Sequence, residues 1–435
     1  MPNRFKVKTR KASELPPDWF KRKKIADEKD SITVKRAVQE IIEAVRQRGD
    51  EALLEYTEKF DKTKLAVKDL KVAPAEIKAA YKAVTNEQIA ALRLMKEKLE
   101  FQEKQTIQRQ SVKTSIEGVK VQTVLSPLES VGCYVPGGQA VYPSTLVMTA
   151  APPKVAGVLR VVVCSPPSEK GTISPLILVA ADICGVDEVY KVGGVQAIAA
   201  LAYGTKTVKS VRKIVGPGSK YVTEAKAQVS QDVAIDMPAG PSEVLVMADE
   251  TAEAKLVAAD MISQAEHGAD SIAGLVTTSA RLAEEVSEWL NKLGANAERA
   301  EIVAKSLATY GFIITCLDAL EMVSLANAFA PEHLEIVTKT PNEIAAKITS
   351  AGLILIGPFS PVALSDYGSG TNHVLPTGGF GYAFSGLSVL DFVRRVSVVE
   401  SSKEGLRKVK PSIKVFTEAE RLPNHYRAVE ARFEK

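Results

Sequence analysis

The chain has 435 residues, 46% of them hydrophobic and 25% charged, with a formal net charge of +4. That length is too great for one simple core, so two or more domains are expected. The small positive excess, with no stripe of interleaved aromatic and basic residues, excludes a nucleic-acid-binding design, and no apolar run is long enough to cross a bilayer.

Residues 1–24 carry nine Lys/Arg against two acids, Glu14 and Asp18, without an apolar core or Ser-rich amphipathic character. This excludes a signal peptide and predicts an arm, residues 1–30, that leans on another surface, such as that of a partner subunit. From Ser31 to Lys59, Val34, Val38, Ile41, Ile42 and Val45 recur at helical spacing, broken at Gly49-Asp50. Residues 74–105 read as long charged helices with one apolar stripe.

The pattern changes near Val119. A strand through Val131–Tyr134 runs into Pro136-Gly137-Gly138, and a helix over Ser144–Ala151 is expected to stop at Pro152-Pro153. A β-branched strand at Leu159–Cys164, a helix at Ser174–Cys184, and a strand at Glu188–Val192 ending in Gly193-Gly194 follow. A helix carrying Gln196, then Ile214-Val215 leading into Gly216-Pro217-Gly218-Ser219, repeats the unit. Strand, glycine turn and helix in alternation predict a doubly wound α/β domain whose turns share one edge and form a crevice for a dinucleotide. No complete GxGxxG is present, so ordinary βα turns are the competing reading.

After Asp236–Glu243 the alternation resumes: strands at Val244–Met247, Ile272–Thr277, Ile313-Ile314 and Gly352–Ile356, and helices at 251–267, Ala280–Leu293 and Asp318–Ala330. From Ser388 the chain is expected to be short, charged and helical. The fold class is thus two Rossmann-like doubly wound α/β domains with a helical N-terminal arm and a helical C-terminal tail. The expected organisation is 31–130 with 243–385 as the first domain, 131–242 as a second domain carrying the glycine turns, and 386–435 as a tail that reaches back over a site, in its own subunit or a neighbour's.

The four histidines, His267, His333, His373 and His425, all lie beyond residue 266, each beside an acid or amide in QAEHG, APEHLE, SDYGSGTNH and AERLPNH. Gln264 and His267 are three apart at a helix end, where Gly268 is placed for a left-handed cap, so both project from one face. Glu332 and His333 are adjacent and converge only at a turn, which Pro331 favours; together they can activate water and shuttle protons. Asp366 opens a polar, glycine-rich loop, and Glu420 and His425 bracket a helix break at Pro423. A Gln, two His and an Asp form an N/O donor set suited to Zn²⁺, with Mn²⁺ or Co²⁺ as alternatives. Cys133, Cys164, Cys184 and Cys316 have no CxxC spacing and read as reduced thiols of a cytoplasmic protein.

The segments VGCYVPGG, VGGVQAIAALAYGT, DMPAGPSEVLV, SQAEHG, APEHLEI, DYGSGTNHVLPT and AERLPNH, in that order from about Ile32 to His425, resemble the histidinol dehydrogenase family. The resemblance implies oxidation of L-histidinol through L-histidinaldehyde to L-histidine, with two NAD⁺ reduced and one Zn²⁺ per subunit. It further implies a homodimer in which Gln264, His267 and Asp366 hold zinc with His425 of the partner subunit. By the same resemblance Glu332 activates water, His333 is the acid/base group, and Ser242 and Glu420 touch substrate, as do His333 and the zinc-holding residues. Tyr134 and Gln196 are implied as cofactor contacts. At the third such position this chain has Ser219 where the family usually has Asn, which is expected to weaken cofactor binding. His373 lies in the motif without an implied role. A relative acting on another primary alcohol such as a sulfopropanediol, a zinc hydrolase using Glu332 as base, and a non-catalytic scaffold are the rival readings.

Overall fold

The computed structural model describes residues 5, 7–16, 19, 28–110, 112–137, 141–237 and 240–434. Gly138, Pro238 and Ala239, which belong to the motifs singled out above, lie outside the described residues, as does most of 1–27.

A short strand β1 (Lys8–Lys11) precedes four helices, α1 (Glu28–Arg48), α2 (Asp50–Asp61), α3 (Pro74–Ala80) and α4 (Asn86–Gln108). A hairpin follows, β2 (Lys113–Ile116) and β3 (Val119–Pro127). The next unit runs β4 (Ser130–Tyr134), α5 (Pro143–Ala156), β5 (Arg160–Ser165), α6 (Pro175–Ile183), β6 (Glu188–Lys191), α7 (Gly194–Tyr203), β7 (Lys213–Val215), α8 (Lys220–Val229) and β8 (Ala234–Ile235). Another begins with β9 (Glu243–Ala248), α9 (Ala254–Ala265), β10 (Ile272–Thr277), α10 (Ala280–Gly294), α11 (Ala300–Tyr310) and β11 (Phe312–Thr315). It continues with α12 (Ala319–Phe329), β12 (His333–Val337), α13 (Pro341–Ala345), β13 (Leu353–Ile356) and α14 (Val362–Tyr367). The chain closes with β14 (Val393–Ser401), α15 (Lys403–Ala419) and α16 (Pro423–Glu430).

Two parallel sheets organise these elements, in the orders β6-β5-β4-β7-β8 and β1-β11-β10-β9-β12-β13. Setting β1 aside, each sheet starts its own unit in the middle and lays later strands to either side, a 3-2-1-4-5 order with a switch point beside the first strand. Buried on both faces, their strands read as near-continuous apolar runs such as Val161-Val162-Val163 and Val244–Met247. The doubly wound class inferred from the alternation is the one observed. Among the described residues, no helix is long and apolar enough to cross a membrane.

Several expectations need correcting. Helices α1–α4, grouped above with the first domain, pack on the five-stranded sheet instead: Val38, Val45 and Leu53 share a core with Ile198 and Ile214, and Leu92 and Leu99 with Leu146 and Met148. The basic arm leans on its own chain, where β1 adds a parallel edge to β11 and Phe5 and Val7 enter the core. The tail is not helical from Ser388: β14 pairs antiparallel with β3 over nine residues, and β2 completes a three-stranded sheet. Those strands mix apolar with charged and polar residues out of strict alternation and stay largely exposed, so neither a period of two nor an apolar run marks them.

Helix α5 also runs through Pro152-Pro153 to a left-handed cap at Gly157. A proline inside a helix strands the carbonyl four residues earlier. Here those are Met148 and Thr149, and both are served from outside the helix. The Asn372 amide donates to the Met148 carbonyl at 2.8 Å, and the Cys133 thiol donates to the Thr149 carbonyl at 3.2 Å.

Candidate functional site

The candidate site sits where β9 and β12, neighbours in the six-stranded sheet, begin. Ala330, in the left-handed conformation at φ 48°, ends α12 and turns the chain through Pro331 into β12. Glu332 and His333 therefore stand at the strand's entry, and the convergence expected of a turn is met: Glu332 Oε2 is 3.6 Å from His333 Nδ1. The Glu243 backbone N–H donates to Glu332 Oε2 at 2.7 Å, and the Glu332 N–H donates back to Glu243 Oε2 at 3.4 Å. Glu243 Oε1 accepts from Gly378 N at 2.9 Å. These bonds fix the Glu332 carboxylate before any substrate arrives.

His333 is 3% exposed. Its Nδ1 lies 3.3 Å from the Glu243 carbonyl oxygen, which sets Nδ1 as the protonated nitrogen, and its Nε2 lies 3.8 Å from Asp366 Oδ1 with no hydrogen-bond partner. Burial lowers its affinity for a proton, but the Glu332 and Asp366 carboxylates and the Glu243 carbonyl outweigh it and leave the pKa raised above 6.5. A buried base with one nitrogen oriented and the other unengaged is equipped to move protons.

Asp366 lies on the short helix α14 rather than in a loop; the glycine-rich loop starts after it. His373, at that loop's end, places Nδ1 3.2 Å from the Asp366 carbonyl and 3.8 Å from Asp366 Oδ1, with Nε2 3.4 Å from Thr145 Oγ1 on α5. Burial dominates here and holds the His373 pKa below 6.5 despite Asp366. The site thus lies between the two sheets, with Thr145 and the Met148 carbonyl of α5 gripping the loop from the other unit.

Gln264, in the last turn of α9, is buried with both Oε1 and Nε2 lacking a partner. The helix begins at Ala254, later than expected, because Asp249 caps a turn through the Thr251 and Ala252 amides. Its end carries no left-handed glycine: Glu266 is right-handed and His267 N closes the last turn on the Gln264 carbonyl at 3.2 Å. His267 consequently leaves the helix, stays exposed, and lines a cleft of about 380 Å³ together with Glu266, Tyr142, Arg299 and Tyr367. Tyr367 follows Asp366, so the ends of α9 and α14 border one cleft.

Among the described residues no three His, Cys, Asp or Glu side chains gather as a metal cluster. The expected set draws only His267 and Asp366 of those types from one chain. What this chain does offer is a Gln264 amide with both atoms unengaged and an Asp366 Oδ1 with no hydrogen bond, both buried. Buried polar atoms without partners each cost about 1–3 kcal/mol, and a hard-to-borderline cation relieves that cost. The residues fit Zn²⁺.

The other predicted residues lie elsewhere. Gly137, Gly193-Gly194 and Gly216 follow β4, β6 and β7, all on the same edge of the five-stranded sheet. Gly216, at φ +119°, must lack a side chain because a Cβ there would collide with the Tyr134 carbonyl. Tyr134 is buried, its hydroxyl accepts the Gly194 N–H at 3.1 Å, and burial pushes its pKa up to about 12. Gln196 is buried with both amide atoms unpartnered, while Ser219 is exposed at the start of α8 and makes no capping bond with its side chain. Ser242 is half-buried just before β9. Glu420 and His425 are exposed on the tail, on either side of the expected break between α15 and α16. Sequence reasoning missed Glu243 and Asn372, although both stood inside motifs it singled out; a paired Pro152-Pro153 in an apolar helix was the signal for Asn372.

The Histidinol dehydrogenase family model matches residues 24–433. A histidinol dehydrogenase of Methanocaldococcus jannaschii is 46% identical over 396 residues, covering 91% of each chain. One of Caldanaerobacter subterraneus subsp. tengcongensis is 48% identical over 401 residues, covering 92% of this chain and 93% of the relative. The crystal structure of histidinol dehydrogenase from Elizabethkingia anophelis superposes with a TM-score of 0.91 at 36% identity, covering 98% of both chains.

Proposed function

The chain belongs to the histidinol dehydrogenase family, and on that premise we propose that it oxidises L-histidinol through L-histidinaldehyde to L-histidine, the last steps of histidine biosynthesis, using two NAD⁺ and one Zn²⁺ per subunit. The observation that carries the reading is the buried pair at the start of β12, a fixed Glu332 carboxylate beside a His333 imidazole with one unengaged nitrogen. Alcohol oxidation needs a base for the hydroxyl proton; oxidation of the aldehyde needs a water activated against the carbonyl. The two side chains divide that work. NAD⁺ would supply the two-electron acceptor for each oxidation, and Zn²⁺ a Lewis acid that anchors the substrate.

In the first step His333 accepts the hydroxyl proton at Nε2. The aldehyde stays between the two sheets, away from solvent. In the second, Glu332 takes a proton from the water that adds to the carbonyl, and the hydrate loses the second electron pair. Gln264, His267 and Asp366 would hold the zinc with His425 of the partner subunit, and Ser242 and Glu420 would contact substrate. Residues 131–242, with Tyr134, Gln196 and Ser219, would form the cofactor unit. The exposed apolar side chains of the tail, Val396, Val398, Val399, Val415, Phe416 and Leu422, support a homodimer that covers them. With four buried free cysteines, a cytoplasmic location fits.

Single-turnover kinetics on Glu332→Gln, with histidinol and then with histidinaldehyde, test the division of labour. The aldehyde step is expected to fall by two or more orders of magnitude relative to the alcohol step, on the scale of general-base catalysis at about 10²–10⁴-fold. Equal loss in both steps would refute it.

A further inference from the structure

The five-stranded sheet lacks a carboxylate at the tip of its second strand, where a dinucleotide-binding unit of its strand order usually places one; the next acid in sequence, Glu169, stands exposed four residues past the strand. In that order, an acid after the second strand of the unit accepts hydroxyls of the adenosine ribose. Here the second strand is β5, and it runs out through Cys164, Ser165 and Pro166. Pro166 is wedged between the glycine turns after β4 and β6: a Cβ on Gly137 or on Gly193 would collide with its ring.

A carboxylate does reach this edge, from an N-terminal helix outside the unit. Asp50, at the start of α2, accepts from Thr207 Oγ1 at 2.7 Å and from Thr207 N at 3.3 Å, just beyond the end of α7. Helix α2 packs along α7. With its first residue held at the far end of α7, α2 runs antiparallel to it. Twelve and ten residues rise about 18 and 15 Å. The last residue of α2, Asp61, therefore arrives at the Gly193-Gly194 turn where α7 begins. Tyr134, whose hydroxyl takes the Gly194 N–H, lies within reach of the Asp61 charge. Asp61 Oδ2 is buried with no hydrogen-bond partner, and so are the Thr57 hydroxyl, one turn earlier on the same face of α2, and both amide atoms of Gln196. Unmet polar atoms from two helices thus gather at the edge that carries the glycine turns. Burial raises the Asp61 pKa to about 6, which leaves it ionised at neutral pH.

We propose that Asp61 accepts hydroxyls of the adenosine ribose of the dinucleotide, standing in for an acid at the tip of β5 and favouring NAD⁺ over its 2′-phosphorylated form. This rests on the reading of the 131–242 unit as NAD-binding. Carboxylate acceptance of a ribose hydroxyl orients the adenosine half, and the same charge repels a phosphate at that position.

The test is calorimetric binding to the zinc-loaded protein, with L-histidine present so that no turnover occurs. The probes are NAD⁺, NADP⁺, ADP-ribose and nicotinamide mononucleotide, on wild type and Asp61→Asn, with thermal unfolding of both proteins without nucleotide. Asp61→Asn is expected to weaken NAD⁺ and ADP-ribose roughly tenfold, as for a hydrogen bond to a charged group. It should leave the mononucleotide unchanged and narrow the NAD⁺/NADP⁺ preference. Its melting temperature should hold or rise, since a buried unpaired charge is removed, whereas a merely structural role predicts a fall. Unchanged NAD⁺ binding, or equal weakening of ADP-ribose and the mononucleotide, would overturn the inference. Absence of NAD⁺ binding to wild type would overturn the cofactor reading and this inference together.

Discussion

Asn372→Ala should uncouple the loop carrying His373 from helix α5, and the structure allows its cost to be worked out. The Asn372 amide supplies the hydrogen bond that the Met148 carbonyl loses to Pro152, and its Oδ1 accepts the Val374 N–H at 2.9 Å. Truncation leaves two buried backbone groups unmet, each worth about 1–3 kcal/mol, so a loss of about 2–6 kcal/mol is expected. Adding Pro152→Ala returns an N–H four residues after Met148 and should recover one of the two, a coupling of about 1–2 kcal/mol. The assay is urea denaturation at one protein concentration for wild type, both single variants and the double variant, since subunit association would shift every midpoint with concentration. If the two substitutions add within about 0.3 kcal/mol, the Met148 carbonyl is not what joins them and the reasoning is wrong.

Two further outcomes are expected. Glu103 is buried on α4, accepts the Val389 N–H at 2.8 Å, and is raised to about 7, chiefly by burial. Its folded pKa lies above its unfolded value of 4.5, so the stability it contributes is complete below pH 4.5 and is lost as pH rises through 7. Glu103→Gln should match wild type at pH 4.5 and exceed it by about 2–3 kcal/mol at pH 8.5 in denaturation midpoints; a constant difference across that range would refute the shift. For subunit sharing, mixed dimers of His425→Ala and His267→Ala should regain about one working site per dimer, and no recovery would mean that each chain builds its own site.

Much of this was legible in the residues because the physics is local. Alternating β-branched runs, glycine turns and helical stripes announced two doubly wound units, since parallel strands buried on both faces have few other ways to read. The Glu332-His333 turn was legible from Pro331. What escaped was set by distant partners. Pro152-Pro153 reads as a helix stop until Asn372 and Cys133 arrive from elsewhere in the chain to meet the stranded carbonyls. Strand β14 carries charges on a face open to solvent, so its pairing with β3 is invisible to an apolar count. The packing of α1–α4 on the five-stranded sheet had no sequence signal, because an apolar stripe does not name the surface it will cover. Glu243 matters through its backbone as well as its carboxylate, and only the register of β9 beside β12 places it against Glu332.

The zinc-supported, four-electron oxidation proposed at the entry to β12 is tested most directly by the stoichiometry of NADH formed from L-histidinol by the native, chelated and zinc-restored protein. Two NADH per histidinol are expected, lost on chelation and regained with zinc. One NADH per histidinol with free aldehyde released, or turnover indifferent to chelation, would contradict it.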